Sequence, residues 1–402
     1  MSPARQTTPA SVAAGRAAAP VRAVPGHLPQ LENLPDVAGK RVLVRCDFNV
    51  TVRRGRVVND LRIRAATPTL EWLVRRGASV TVCTHLGRPG GRVDPRLALE
   101  PVRQVLRDLM PEVELLENLR FSAGEEANDP RFVEQLVAGQ DLFVNDAFAT
   151  AHREHASVIG PPTRLPSAAG RLLSREVEVI SALRQRPRRP LVAVLGGEPR
   201  EEVIATIRSL IGFADTVMLG GAVAFTAMEA LAVLTGERPA PAGASAPGGD
   251  QPGVWAELIG SGRVLLPVDV VTSSPARPDD LGTFVSVPSG SRAVDIGHRT
   301  AARFGQILAR AGTVFWDGLM GRPGDDRYRS GTRAVAEAVG ASPAFTVVSG
   351  SETVEAVDRL GLSAFVDHVS TGGAATLELL REGDLPGIRA LRESATHPPR
   401  RG

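Results

Sequence analysis

Ten short apolar runs, each ending in a polar or glycine-rich turn and followed by a helical pattern, set the frame of this 402-residue chain. In the first half "RVLVR" ends in "CDFN", "ASVTVC" in "THLGRPGG", "VELL" in "ENLRF" and "DLFV" in "NDAFATAHR". In the second half "PLVAV" runs into "LGG", "DTVML" into "GGAVAF", "VLLPVDVV" into "TSS", "GTVFW" into "DGLMG", "FTVV" into "SGSET" and "VDHV" into "STGGAATLELL". Apolar strands alternating with helical segments build parallel sheets, so the expected fold class is α/β. Ligands then belong at the carboxyl ends of the strands.

The length suits two domains. Between the two sets of runs lies "LPSAAGRLLSREVEVISALRQRPRRP", in which Leu172, Leu173, Val177, Ile180 and Leu183 recur at near-helical spacing before a proline-punctuated basic segment. This predicts a connecting helix and a boundary near residue 186. Residues 1–30 hold no acidic residue and no periodicity, and read as a disordered leader. A targeting peptide is the less favoured alternative, because repeated prolines oppose an amphipathic helix. The Pro/Gly/Ala-rich stretch from Thr235 to Gly253 reads as a surface insertion. The expected division is thus a leader (1–30), two lobes (31–186 and 187–391) and a tail (392–402).

Charge and cysteines exclude several classes. The net charge is +3, yet Lys40 is the one lysine, so the basic residues are almost all arginine. No Lys/Arg stripe with interleaved aromatics appears, and nucleic acid is not an expected partner. Cys46 and Cys83 lie in apolar strand-like runs and read as buried thiols of a reducing compartment. No run approaches the ~18 apolar residues of a membrane span.

The first-half strand ends gather anion-binding groups: Asp47 and Asn49, Arg62, His85 and Arg88, Arg120, and His152 with Arg153. Guanidinium groups offer fixed forks to carboxylate and phosphate oxygens, so the set suits a small, multiply charged anion. Any one of these arginines alone is ordinary surface charge; their shared placement after successive strands points to a site. The second-half ends carry "GG", "GGA", "DG", "SGSE" and "TGGA", which allow close approach of backbone N–H groups to phosphates. No Walker A loop is present and no GxGxxG follows a strand.

The segments "KRVLVRCDFNV", "RIRAATPTLEWL", "THLGRP", "LLENLRF", "FVNDAFATAHREHASVIG", "LPSAAGRLLSREVE", "LLPVDVV" and "STGGAATLELL" resemble phosphoglycerate kinase, in order and from about Leu31 to Leu391. The resemblance implies two Rossmann-like lobes joined by a hinge, the first holding 3-phosphoglycerate or 1,3-bisphosphoglycerate and the second ATP or ADP with Mg2+. It also implies a cytoplasmic monomer acting in glycolysis. On this resemblance Asp47, Phe48, Asn49, Arg62, His85, Arg88, Arg120 and Arg153 bind substrate, and Arg62 and Gly373 are catalytic. Gly196, Gly197, Arg200, Gly220, Gly297, Gly350, Ser351, Glu352 and Thr353 fall at nucleotide-binding positions, with Glu352 at the metal.

The second half departs from the family pattern. "LGGEPREEVIATI" matches "GGAKVSDK", with Pro199 and Val203 where two lysines are expected and Arg200 as the nearby cation. "WNGPMGVFE" has become "WDGLMGRPG", placing Gly324 at the ribose-holding glutamate; "GGGDT" has become "SGSET"; and the third glycine of "STGGGAS" is Ala374. After "LRDLM" the chain passes directly to "PEVELLENLRF", omitting about one strand–helix unit. A phosphotransferase is the expected function, and a non-catalytic protein that binds 3-phosphoglycerate or a similar anion as sensor or scaffold is the alternative.

Overall fold

The structure is a computed structural model and describes residues 28–236, 252–274 and 276–396. β1 (Arg41–Arg45) leads through a hairpin of β2 (Val52–Arg53) and β3 (Arg56–Val57) into α1 (Leu61–Val74), and β4 (Ser79–Cys83) into α2 (Glu100–Leu109). β5 (Glu114–Leu115) precedes the short helices α3 (Ala123–Glu126) and α4 (Pro130–Val137); β6 (Leu142–Asn145) precedes α5 (Ala156–Ile159) and β7 (Ser167–Ala169). These strands form one parallel sheet in the order β5-β4-β1-β6-β7. Winding runs from β1 toward β4 on one side and from β6 toward β7 on the other. The reversal between β1 and β6 opens a crevice at their carboxyl ends, the place where open α/β sheets take ligands.

α6 (Arg171–Gln185) crosses to the second half, and its buried Leu173, Val177, Ile180 and Leu183 follow the spacing read from the sequence. There the chain builds β8 (Leu191–Leu195), α7 (Glu201–Ile211), β9 (Thr216–Leu219), α8 (Gly221–Leu234), α9 (Pro252–Gly260) and β10 (Val264–Leu265). An antiparallel excursion follows, β11 (Val270–Ser274), β12 (Arg277–Phe284) and β13 (Arg292–Ile296). The α/β alternation then resumes with α10 (His298–Leu308), β14 (Thr313–Asp317), α11 (Ser330–Ala341), β15 (Phe345–Ser349), α12 (Ser351–Arg359), β16 (His368–Val369), α13 (Ala374–Glu382) and α14 (Pro386–Thr396). The second parallel sheet has the order β10-β9-β8-β14-β15-β16, and its winding reverses between β8 and β14. β8, "LVAVL", is buried at every position, as a central strand covered on both faces must be.

Three details differ from the sequence expectation. Packed structure begins inside the stretch read as leader: Leu28 is buried, and Ala169 donates to the Pro29 carbonyl at 2.8 Å. "VLLPVDVV" is two strands in two different sheets, because Pro267 cannot donate a ladder bond and the chain turns there. The tail expected from residue 392 is helical through Thr396, at the end of α14. The rest of the leader, most of the Thr235–Gly253 insertion and the residues beyond Thr396 lie outside the described residues.

Candidate functional site

At the first crevice the chain brings together side chains from four elements. Asp47, just past β1, accepts a hydrogen bond from Arg62 Nη1 at the start of α1, and its other oxygen lies 3.8 Å from His85 Nδ1 beyond β4. Burial pushes the Asp47 carboxyl up, but the Arg62 field first, then that of Arg45 and the hydrogen bond from the Asn49 amide, more than reverse this and hold it below the usual carboxylate range. Asn49 Oδ1 accepts from the Gly87 amide at 2.9 Å, and Arg120 Nη1 donates to the Gly87 carbonyl at 2.8 Å. The "HLGR" turn is thereby pinned from two sides. Arg88 and Arg153 are exposed at its mouth, and among the described residues no carboxylate pairs with either.

Phe48 stands apart from its expected role. Its ring is fully buried in the first-half core, so it supports the turn from beneath, and its amide donates to Thr84 Oγ1 at 2.9 Å.

The sequence carries no signal for Arg45, a fully buried arginine at the end of β1. Its Nε donates to Ser157 Oγ at 2.9 Å, Nη1 to the Cys46 carbonyl, and Nη2 to His85 Nδ1 at 3.2 Å. Ser157 in turn donates from Oγ to buried Glu125 at 2.6 Å. Burial, then the Arg45 field, lower the His85 pKa to about 3, so the ring is neutral. Arginine only donates, so Nδ1 is the acceptor and the ring proton sits on Nε2. His85 is therefore fixed as a neutral N–H donor.

Cys46 and Cys83 fall in different core clusters, on opposite faces of the sheet. Burial raises both thiols, Cys83 to about 12, which leaves them inert.

The second crevice, between β8 and β14, is built by backbone contact. A Cβ on Gly196 would stand 2.2 Å from the Leu319 carbonyl, and one on Gly220 2.4 Å from Met320 Sδ. Gly196 and Gly197 donate their amides to the carbonyls of Asp317 and Leu319, both at 2.9 Å, and Gly220 donates to Leu195 at 2.8 Å. Expected as amides open to phosphate, these three are spent on holding two loops together.

Gly350 (φ +83°) and Gly373 (φ +52°) cap the starts of α12 and α13, and no side chain caps either end. Gly297 caps α10, but there the Asp269 carboxylate already accepts from the Thr300 amide at 2.7 Å and the Arg299 amide at 3.1 Å. Val203 is 5% exposed and packs in the core, whereas Arg200 is exposed ahead of α7. A cavity of about 200 Å3 lies beyond, lined by Leu319, Arg322, Pro323, Gly324, Arg329, Thr332, Glu352, Glu355, Ala356 and Arg359. Arg322 and Arg359, absent from the sequence-based set, bring cations to this wall.

The two halves are tied through α6. Its buried Glu176 accepts from the Thr371 amide at 2.6 Å and from Thr371 Oγ1 at 2.8 Å, and bonds His368 Nε2 at 2.8 Å. Beside it, a Cβ on Gly372 would stand 2.3 Å from the Phe148 ring, so the loop that opens α13 lies flat against the first half. The Gly387 amide donates to the Ala151 carbonyl at 2.8 Å, so the last helix also returns to the first half. Elsewhere the halves meet around a cavity of about 420 Å3, where Asp358 of α12 faces Asn59, Asp60 and Leu61.

Comparison with known proteins gives a uniform result. The family model for phosphoglycerate kinase matches residues 31–115 and 110–383, two stretches that meet where the chain omits a strand–helix unit. The phosphoglycerate kinase of Rubrobacter xylanophilus is 41% identical over 386 residues, covering 89% of this chain and 97% of the relative. That of Moorella thermoacetica is 40% identical over 390 residues, covering 89% and 98%. Among solved structures, phosphoglycerate kinase from Coxiella burnetii superposes with a TM-score of 0.77 at 30% identity, covering 92% of this chain and all of that one.

Proposed function

The chain belongs to the phosphoglycerate kinase family, and on that premise we propose that it moves a phosphoryl group reversibly between ATP and the carboxylate of 3-phosphoglycerate, a step of glycolysis. The assembled anion site of the first half carries this reading. Arg62, His85, Arg88, Arg120 and Arg153 surround the carboxyl ends of β1, β4 and β6, with Asp47 and Asn49 placed to orient hydroxyls. Such a set matches a substrate bearing one phosphate and one carboxylate. The acceptor carboxylate is ionised at neutral pH, so the reaction needs no general base. Catalysis then rests on alignment and on neutralising charge at the transferring group.

Arg62 serves as the principal catalytic side chain, its guanidinium oriented by Asp47, and the Gly373 amide at the start of α13 meets the same group from the other half. His85 Nε2 donates to substrate oxygen. On the nucleotide side Arg200, Ser351 and the open start of α12 receive phosphates, while Gly196, Gly197, Gly220, Gly297 and Gly350 shape the loops; Thr353, expected at a nucleotide position, is fully buried and its Oγ1 accepts from the Gly318 amide at 2.7 Å. Glu352, exposed in the first turn of α12, would be the protein carboxylate for Mg2+, an ion that needs oxygen ligands. When bound, that ion neutralises phosphate oxygens. The protein acts as a cytoplasmic monomer; among the described residues no helix is long and apolar enough to cross a membrane.

A coupled assay of ATP-dependent phosphorylation of 3-phosphoglycerate, paired with thermal-shift titrations of 3-phosphoglycerate, ADP and ATP, tests the reading. Turnover with stabilisation by both ligand classes is expected. Stabilisation by 3-phosphoglycerate with none by nucleotide and no turnover would replace the kinase with an anion-binding sensor.

A further inference from the structure

Asp317 ends β14 at the reversal point of the second sheet, where the family pattern quoted above has asparagine. Its register neighbours are Leu195 of β8 and Ser349 of β15, the residues that open the two glycine loops assigned to nucleotide. A Cβ on Gly350 would stand 2.9 Å from Asp317 Oδ1. Asp317 Oδ2 is buried without a well-formed hydrogen bond, and the hydroxyl of fully buried Ser349 lies beside it, close enough to pull on the carboxyl.

The charged surroundings are sparse. From the loop before α7, Arg200 is the one charged side chain whose field reaches the carboxyl among the described residues. Glu198, Glu201 and Glu202 of that segment are exposed, as are Glu352 and Glu355 of α12. Arg322, from the loop after β14, is engaged with the Ala293 carbonyl at 2.9 Å.

An ionised carboxylate here opposes a polyphosphate, since it adds a like charge and has no hydrogen to donate. The protonated acid has nearly the shape of the amide and donates one O–H. Burial favours that form, pushing the Asp317 carboxyl up to about 6 against the pull of Ser349 and Arg200. A neighbouring anion pushes it further in the same direction.

We propose that Asp317 is a phosphate-facing group of the nucleotide site that works as the neutral acid, so that binding a nucleotide takes up one proton from solvent onto its carboxyl. The inference rests on the nucleotide reading of the second half. Nucleotide affinity in this chain therefore carries an acid preference that an asparagine at the same place would not give.

Calorimetric titration of ADP into wild type and Asp317→Asn, from about pH 6 to about pH 8, tests it, because the ratio of the two Kd values cancels the titration of ADP itself. The advantage of the variant should grow by up to about tenfold for each pH unit above about 6. Repeating the titration near pH 7 in buffers of different ionisation enthalpy should show wild type taking up close to one more proton per ADP than the variant. A pH-independent Kd ratio, or equal proton uptake, overturns the proposal. Absence of ADP binding by both proteins at every pH overturns the nucleotide reading itself, and this inference with it.

Discussion

At the residue scale the two sites differ in how they supply positive charge. In the first half, Arg62 is held by Asp47 at the crevice and His85 is held neutral by Arg45. At about 4 Å and an effective dielectric near 20, one unit-charge contact has a gross value of about 4 kcal/mol, an upper guide to its net worth. Arg62→Ala is therefore expected to lower kcat at least ~10²–10³-fold in the coupled assay, the usual cost of one lost stabiliser of developing charge. Retention of more than a tenth of wild-type turnover would remove Arg62 from its catalytic place. In the second half the two lysine positions are not equivalent. Val203 is in the core, so a lysine there must displace packed side chains, whereas Pro199 is partly exposed ahead of α7. Pro199→Lys should raise kcat/KM for ATP several-fold, restoring a cation and a backbone N–H together. An unchanged value would show that Arg200 already fills that role.

At the element scale, what was legible in the sequence was whatever depends on neighbours along the chain. The strands of both parallel sheets could be read because burial on two faces leaves continuous apolar runs. α6 could be read because Leu173, Val177, Ile180 and Leu183 repeat on one face. The residues proposed to bind substrate were legible as types at strand ends. Partners distant in sequence were not: nothing around Glu176 signals that it bonds His368 and Thr371, nearly half the chain away. Nor could periodicity show that the Gly196 and Gly197 amides are spent on the carbonyls of Asp317 and Leu319, or that Arg45 sets the His85 tautomer. Glu176 makes α6 a coupling element, since it holds the loop carrying Gly373. Glu176→Ala leaves the Thr371 amide and hydroxyl without their partner, at a cost of about 2–4 kcal/mol. Chemical denaturation should register that loss, and kcat should fall with KM for 3-phosphoglycerate little changed. A stability loss with full kcat would make Glu176 structural only.

At the scale of the whole molecule, buried ionisable groups pull stability in opposite directions. His85 and His152 have pKa values lowered to about 3 and about 4, chiefly by burial, against about 6.5 unfolded. Their contribution is full above about pH 6.5 and is lost as pH falls toward those values. Asp146, Asp295 and Asp317 are pushed up to about 6, again chiefly by burial. For these the folded state binds more protons between about pH 4 and about pH 6, so stability falls as pH rises through that window and is constant above it. The two sets oppose each other over the same range, and the urea midpoint should change little from about pH 5 to about pH 8. Below about pH 4 the three aspartates no longer offset His85, and Asp47, whose pKa is lowered in the fold, loses its ion pair with Arg62, so the acid limb should be steep. Asp317→Asn isolates one member of the balance. Relative to wild type it should be equally stable near pH 4 and more stable near pH 8, by up to about 3 kcal/mol for a shift of about two units. A stability difference that does not change with pH would mean that Asp317 titrates at its ordinary value, a carboxylate solvated in the open crevice, and the nucleotide phosphates would then meet it charged.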